Sequence, residues 1–459
     1  MVAPPSASRE PKRETEFGRE TGPETAPETE RDPATAPRAP EHWATLLPRP
    51  LFQGGHVLQL LRGGDALFPA MVRAIDHAQH DIWLATYIFH DDNAAEYVAQ
   101  ALARAAQRGV RVRVVVDGFG SKATLAHLQQ WLTPAGVALA VFRPIDRWWN
   151  WLQPGQLRRL HQKLCVVDGQ IGFVGGINMI DDRVDLNHGP TEQPRLDFAV
   201  QVQGPAVARM AQAVRALWTR AWLGRDVREE LAALARSTEP VARLRGLLRR
   251  LRMPGRAGLQ SDEGELPPVR AAFVLRDNLR QRRTIERAYI DAIRGARERV
   301  DLVTPYFYPG QAFRRALRQA ADRGVHVRLL LQGKLDYRVA GLAARVLYGE
   351  LLAHGVQVFE YMPAFLHAKI GIVDGDWATV GSSNIDPLSL LLNLEANLVV
   401  HDIAFAQELR TAFETALAES QRVVEPQIPG RGLIAIAARA LVAWCAYVYL
   451  RVAGATGRY

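Results

Sequence analysis

The chain has 459 residues, 48% of them apolar and 23% charged. That is the make-up of an ordinary globular protein, long enough for two domains with full cores. A formal net charge of +9 and a pI near 9.8 predict anionic partners: phospholipid surfaces, nucleic acid or phosphorylated substrates. Its two cysteines, Cys165 in an apolar run and Cys445 near the C-terminus, speak against a disulfide and fit a reducing compartment. The N-terminus shows no basic-then-apolar export signal.

In chain order, residues 1–44 are rich in Pro, Glu, Thr, Ala and Arg and read as a disordered tail. Order is expected from Leu51, and residues 45–224 form a first α/β unit. Within it a helix starts at Asp65, a strand at Asp81, a second helix covers 94–107, and Gly109 stops that helix before a buried strand over 110–117. An aromatic stretch, Trp148-Trp149-Asn150-Trp151, is followed by a hairpin from His161, a strand after Arg195 and a closing helix over 205–222. Residues 225–268 carry Arg243, Arg245, Arg249, Arg250, Arg252 and Arg256 among Leu244, Leu247, Leu248 and Leu251. That pattern suits either an amphipathic helix on an anionic membrane or a solvated interdomain helix.

A second unit over 269–425 repeats the order of the first: helix 281–297, strand 300–306, helix 311–322, strand 325–332. The stretch beginning Ala101-Leu102-Ala103-Arg104-Ala105-Ala106 matches that beginning Ala316-Leu317-Arg318-Gln319-Ala320-Ala321, an internal duplication of roughly 200 residues. Two homologous α/β halves meeting at a pseudo-twofold interface is the economical architecture. Residues 426–459 form an apolar C-terminal segment. Its core, Leu433 to Leu450, is about 18 residues long, short of the ~20 a spanning helix needs, and Arg439 interrupts it. A monotopic or re-entrant membrane segment is expected.

The duplication contains one motif twice. His161, Lys163, Asp168, Gly169, Gly175, Gly176 and Asn178 recur as His367, Lys369, Asp374, Gly375, Gly381, Ser382 and Asn384. His and Lys two apart on a strand project from one face. The Asp-Gly that follows is a two-residue hairpin signal, and the small residues after the return strand allow close backbone approach to a ligand. Imidazole is a nucleophile or general acid/base, ammonium is suited to phosphate, and the Asn amides can donate.

This doubled His-x-Lys-x4-Asp-x6-Gly-(Gly/Ser)-x-Asn pattern resembles the phospholipase D superfamily. The second copy, from His367 to Asn397, is very similar to bacterial cardiolipin synthases. The resemblance runs from about Leu51 to about Glu425. It implies a bilobal fold and a metal-independent, cofactor-free site. There His161, Lys163, Asp168, His367, Lys369 and Asp374 form the catalytic motif, and Asn178 and Asn384 bind substrate. It further implies that Asp168 and Asp374 are structural members at the hairpin turns, and that a carboxylate downstream of each Asn orients a histidine. Glu395 fits His367 in this role and Asp197 fits His161. By analogy His161 is the nucleophile and His367 the general acid/base, though the two copies are symmetric enough to allow the reverse.

The implied activity is a phosphatidyltransferase that passes a phosphatidyl group, through phosphohistidine, to phosphatidylglycerol. Phosphatidylglycerol or phosphatidylethanolamine is the donor. A hydrolytic phospholipase D and a nuclease of the same superfamily are the rivals; the apolar C-terminus has no evident use on DNA, so no nucleic-acid partner is expected. The implied location is the cytoplasmic face of a bacterial inner membrane, held peripherally or monotopically. Tyr87 and Phe89, with Tyr306, Phe307 and Tyr308, end corresponding strands and read more readily as core than as pocket. Arg158 and Arg159, just ahead of His161, suit either a second phosphate or solvent.

Overall fold

In the computed structural model the described residues are 50–144, 158–186, 188–235, 240–251, 268–277, 281–334, 345, 347–386, 389 and 393–424. The predicted tail, the aromatic stretch at 148–151, Arg252, Arg256 and the apolar 426–459 segment lie outside them.

The first half is built on β1 (Val57–Arg62), β2 (Asp81–Thr86), β3 (Arg111–Asp117), β4 (Ala138–Phe142), β5 (Leu164–Val167), β6 (Ile171–Gly175), a small ribbon of β7 (Val184–Asp185) and β8 (Gly189–Pro190), and β9 (Phe198–Gln203). Its helices are α1 (Gly63–Asp76), α2 (Asn93–Gln107), α3 (Leu125–Leu132) and α4 (Ala206–Ala235), and α5 (Pro240–Leu251) follows. The second half contributes β10 (Arg270–Arg276), β11 (Arg299–Thr304), β12 (His326–Gln332), β13 (Gln357–Tyr361), β14 (Ile370–Val373), β15 (Trp377–Gly381), β16 (Glu395–His401) and β17 (Ser420–Arg422). Its helices include α6 (Thr284–Gly295), α7 (Gln311–Asp322) and α8 (Ile403–Ala418).

The duplication is visible in the sheet orders, β1-β9-β6-β5-β2-β3-β4 and β10-β16-β15-β14-β11-β12-β13-β17. In each, three successive strands of the sheet run parallel (β2, β3, β4; β11, β12, β13), and the motif hairpin lies antiparallel beside the first of them.

Both faces of each sheet are covered, which explains the near-continuous apolar strands. Ile82 and Leu84 of β2 face one way, into a core with Phe68, Met71 and Ile75 of α1 and Val98 and Leu102 of α2. Trp83 and Ala85 face the other, into a core shared with the second half that contains Leu164, Val174, Ile370 and Val380. Leu217 of α4 and Leu409 of α8 seal that shared core. The second half repeats the arrangement, with Val300 and Leu302 against Ile293 of α6 and Leu317 of α7.

Two helices start on aspartate caps: α2 on an Asp92 side chain that accepts from Ala95 N–H at 2.9 Å, and α8 on Asp402 accepting from Phe405 N–H at 2.8 Å. The closing helix runs on to Ala235, well past Trp222. One expectation is corrected. Val167 pairs with Ile171 and Val373 with Trp377, so each motif hairpin has a three-residue connection, not two. In the first, Asp168 (φ 53°) and Gly169 (φ 66°) both adopt left-handed backbone, which Asp tolerates.

Candidate active site

The site lies where the two halves are stitched together. His161 N–H donates to Leu394 O at 3.0 Å and Leu394 N–H to Arg159 O at 2.9 Å. The symmetric pair is His367 N–H to Leu196 O and Leu196 N–H to Phe365 O, both 2.9 Å. Each histidine segment therefore runs beside the carboxylate segment of the opposite half.

That register corrects the carboxylate assignment. His161 Nδ1 meets Glu395 at 3.0 Å, and His367 Nδ1 meets Asp197 at 2.6 Å. The expected pairing, each histidine with the carboxylate of its own copy, is exchanged across the pseudo-twofold axis. The cause is the backbone pairing above: the residue after Leu394 is Glu395 and the residue after Leu196 is Asp197, so each is delivered to the foreign histidine. Each carboxylate is backed by its own half instead. Ser382 Oγ donates to Glu395 at 2.5 Å. At the matching position Gly176 is bare, and a Cβ there would lie 2.3 Å from Asp197 Oδ1. A longer acid with a hydroxyl behind it and a shorter acid against glycine solve one problem in two ways. The Ser382 contact was not anticipated; the only signal for it in the sequence is that Gly-Gly in one copy is Gly-Ser in the other.

With Nδ1 engaged, Nε2 of each ring is left for substrate. Both lysines are buried, and each Nζ donates to the carbonyl of its own histidine, Lys163 to His161 O at 2.8 Å and Lys369 to His367 O. Burial pushes Lys163 down to about 8, opposed by Glu395, Asp197 and Asp117. It pushes Lys369 to about 7, with Asp197 opposing and Lys163 adding to the fall. An incoming phosphate would reverse both shifts. His367 is held well below its usual range by burial, then by Lys369, Lys163, Arg195 and His161, which places both copies of the motif in one electrostatic pocket. His161 is also lowered by burial, but Glu395 works against it.

The two acids differ. Burial alone would raise Glu395, yet His161, Lys163 and Ser382 outweigh it and the net shift is downward. Asp197 is pushed up to about 7 by burial, with Lys369 and the Phe198 N–H only partly offsetting it.

Asn178 and Asn384 are both buried. Asn178 Oδ1 accepts from Ile88 N–H at 3.3 Å, and Asn384 Oδ1 has no protein partner. Tyr87 stands edge-on to the His161 ring, centroids 5.0 Å apart, and its ring lies 5.5 Å from Lys163 Nζ. Phe89 and Phe307 are core residues, so the strand-end aromatics divide between the two readings.

Asp168 and Asp374 sit at the far end of the hairpin strands from the histidines. Asp168 accepts from the N–H groups of Gln79, His80 and Asp81 at 2.8, 2.8 and 2.9 Å. Asp374 does the same for Arg297, Glu298 and Arg299 at 3.0, 2.9 and 3.0 Å. These contacts fasten the motif hairpin to the start of β2 and of β11 and take both aspartates out of the reacting group. Among the described residues no three His, Cys, Asp or Glu side chains converge as a metal site requires.

A duplicated α/β fold with paired His-Lys motifs at the interface defines a phospholipase D-like enzyme. The family model described as "Cardiolipin synthase, PLD-like domain" matches residues 71–190 and 289–417. Cardiolipin synthase B of Shigella flexneri is 36% identical over 388 residues, covering 82% of this chain and 84% of that protein. The Salmonella typhi cardiolipin synthase B is 38% identical over 383 residues, with the same coverage. Cardiolipin synthase A of Pseudomonas fluorescens is 32% identical over 370 residues, 81% of this chain and 70% of that one. In fold the chain is similar to the phosphatidylserine synthase of Haemophilus influenzae, with a TM-score of 0.61 at 13% identity over 88% of this chain and 97% of that one. The chain belongs to the cardiolipin synthase family of phospholipase D-like phosphatidyltransferases.

Proposed function

We propose that this site forms cardiolipin by moving a phosphatidyl group onto the primary hydroxyl of phosphatidylglycerol, with His161 as nucleophile. His161 Nε2 attacks phosphorus, the bond to the leaving alcohol breaks, and His367 delivers a proton to that oxygen. His367 then takes the proton of the acceptor hydroxyl, whose oxygen attacks phosphorus and releases His161. Lys163, Lys369, Asn178 and Asn384 stabilise the non-bridging oxygens while charge builds on them.

The observation that carries this reading is the crossed pair of imidazole–carboxylate bonds, and its asymmetry supports this division of roles. Glu395, favoured in its ionised form, supports the positive charge that a phosphorylated imidazole carries. Asp197, titrating near neutrality beside His367, makes a pair that can hold and release one proton around the working pH. Either phosphatidylglycerol or phosphatidylethanolamine can serve as donor in this scheme.

Lipid access is supported by α5. Val241, Leu244 and Leu248 are 60%, 41% and 57% exposed on one side of it, and Arg245, Arg249 and Arg250 are exposed beside them. An apolar stripe flanked by guanidiniums fits the interface of an anionic bilayer. Among the described residues no helix is long and apolar enough to cross a membrane. We assign a peripheral or monotopic attachment, on the cytoplasmic face of the inner membrane, through 225–268 and 426–459.

The test is product analysis in mixed micelles of phosphatidylglycerol alone and then with phosphatidylethanolamine, beside His161→Asn. Cardiolipin from the wild type and none from the variant is expected, and free glycerol or ethanolamine names the donor. Phosphatidic acid as the sole product would make the enzyme a hydrolase, and no lipid turnover would remove lipids as substrates.

A further inference from the structure

The pseudo-twofold axis allows the two mouths of the pocket to be compared position by position. Asp117 ends β3 and accepts from Leu160 N–H at 2.8 Å; Gln332 ends β12 and accepts from Leu366 N–H at 2.6 Å. The glycines that follow make matching bonds, Gly118 N–H to Phe142 O and Gly333 N–H to Tyr361 O. Arg143 therefore corresponds to Met362, and Arg158 and Arg159 correspond to Ala364 and Phe365. Three arginines and an aspartate in the first half face Met, Ala, Phe and Gln in the second. The motif His, Lys and Asn residues obey the symmetry and this cluster breaks it.

The cluster is cationic and incompletely satisfied. Arg159 is 7% exposed; its Nη1 donates to Arg143 O at 3.0 Å and lies 3.7 Å from Asp117 Oδ1, while its buried Nη2 has no protein partner. Arg143 Nη1 reaches Arg158 O at 3.3 Å, and the buried Nε of Arg158 is likewise without a protein partner. Burial, then Arg158 and Arg159, depress Arg143 to about 10, with Asp117 opposing and Arg220 adding to the fall. The Phe119 ring, 45% exposed, lies over the Arg159 guanidinium at 5.6 Å. Asp117 acts on two of these guanidiniums, those of Arg143 and Arg159. Asp117 also acts on Lys163 electrostatically, so the cluster adjoins the catalytic centre.

We infer that Arg143, Arg158 and Arg159 form a second anion subsite, on the His161 side of the pocket only, for a phosphodiester other than the reacting one. A guanidinium with free, buried N–H groups is the chemistry that recognises phosphate oxygens. The inference rests on the proposed function. A phosphatidylglycerol acceptor carries its own phosphate one glycerol away from the attacking hydroxyl, whereas a donor with a neutral leaving group has none to spare. A neighbouring lipid offers the same chemistry, and the test separates the two sources.

Arg159→Phe and Arg143→Met install the residues the other half already accommodates, and Arg159→Lys restores charge. With phosphatidylethanolamine as donor, transfer to phosphatidylglycerol is compared with transfer to monoacylglycerol, which ends in the same glycerol but lacks the phosphate. The expected result is a fall of about ten- to hundredfold in the phosphatidylglycerol-to-monoacylglycerol kcat/KM ratio for Arg159→Phe. The fall should be carried by KM and partly rescued in Arg159→Lys. A constant ratio with weakened dependence on bulk anionic lipid would retain the subsite and give it to a neighbouring lipid. A constant ratio with unchanged lipid dependence would overturn it.

Calorimetric binding of inorganic phosphate is read in the His161→Asn background, with and without Arg159→Phe, and needs no turnover. Wild type that makes no lipid product would remove the proposed function. Phosphate binding lost with Arg159→Phe would still establish the subsite, and binding unaffected by it would overturn it.

Discussion

The first half sets a buried aspartate against bare glycine, while the second sets a buried glutamate against a serine hydroxyl. Gly176 leaves room for Asp197, whose acidity is weakened to about 7 by burial; Ser382 donates to Glu395, whose acidity is strengthened. Because the carboxylates cross to the opposite histidines, the difference in each half is felt by the other half's catalytic ring. Duplication thus yields two copies of one machine with different settings, which suits a reaction of two unlike steps, with one imidazole holding phosphorus and the other shuttling a proton.

The widest gap between the halves is expected from the histidines themselves. His161→Asn should abolish turnover and any covalent adduct. His367→Asn should lower turnover by about 10²–10⁴-fold, the usual contribution of a general acid/base, and leave an acid-labile phosphoryl adduct on His161. Peptide mass spectrometry after a rapid quench locates it. An adduct on His367 in the converse variant would reverse the assignment of roles.

The backing residues come next. A Cβ on Gly176 would press on Asp197 Oδ1, so Gly176→Ala should displace that carboxylate from His367 and cost about 1–3 kcal/mol as an overpacked site. Ser382→Ala creates no clash. It removes the hydrogen bond to a charged group, about 1.5–3 kcal/mol, and the one accepted from Ala396 N–H at 3.0 Å, and weakens the hold on Glu395. Thermal unfolding and turnover together should show Gly176→Ala acting through the His367 step and Ser382→Ala through the His161 step. Equal loss of adduct formation in both would contradict the crossed wiring.

Much of this was legible in the residues. The duplication and the strand–helix order follow from local patterns, because a buried α/β strand announces itself by an apolar run and a helix by its caps; the convergence of His161, Lys163, His367 and Lys369 was implied by the family resemblance. Asp168 and Asp374 could be placed at turns because Asp-Gly dictates local backbone. The crossed carboxylates could not, since which half delivers Glu395 depends on backbone pairing between Arg159 and Leu394, more than 200 residues apart. The arginine cluster was half visible: Arg158 and Arg159 stood out beside His161. Their contrast with Ala364 and Phe365 was also there to be read from the two motifs, whereas the approach of Arg143 emerges only from the fold.

A pH-dependent effect is expected from the charge on Asp197. Its carboxyl holds a proton up to about pH 7 in the folded chain, against an ordinary value of 3.8. Below pH 4 both states are protonated and there is no penalty. As pH rises from 4 to 7 the unfolded chain loses the proton while the folded chain keeps it, so folding is progressively disfavoured, and the penalty levels off above 7. Asp197→Asn removes it. The variant should lose His367-dependent turnover yet gain melting temperature over wild type, with a gain that is small at pH 4 and largest at pH 8. A gain independent of pH would mean that the carboxylate is ionised throughout.

The turn aspartates are where the two halves should behave alike. Asp168 and Asp374 each accept three backbone N–H bonds, both are lowered below the ordinary carboxylate range by those bonds against a partial burial cost, and neither reaches the pocket. Asp168→Ala and Asp374→Ala should each cost about 1–3 kcal/mol of stability, with little change in the rate of the protein that remains folded. A depressed carboxylate stabilises the fold above its unfolded value near 3.8 and ceases to do so as pH falls through the lower folded value. The two deficits should therefore be full at pH 7 and shrink together below pH 4. Matching deficits would confine the divergence of the halves to the carboxylates and the arginine-lined mouth. A specific loss of turnover in one variant would show that the asymmetry extends down the whole hairpin.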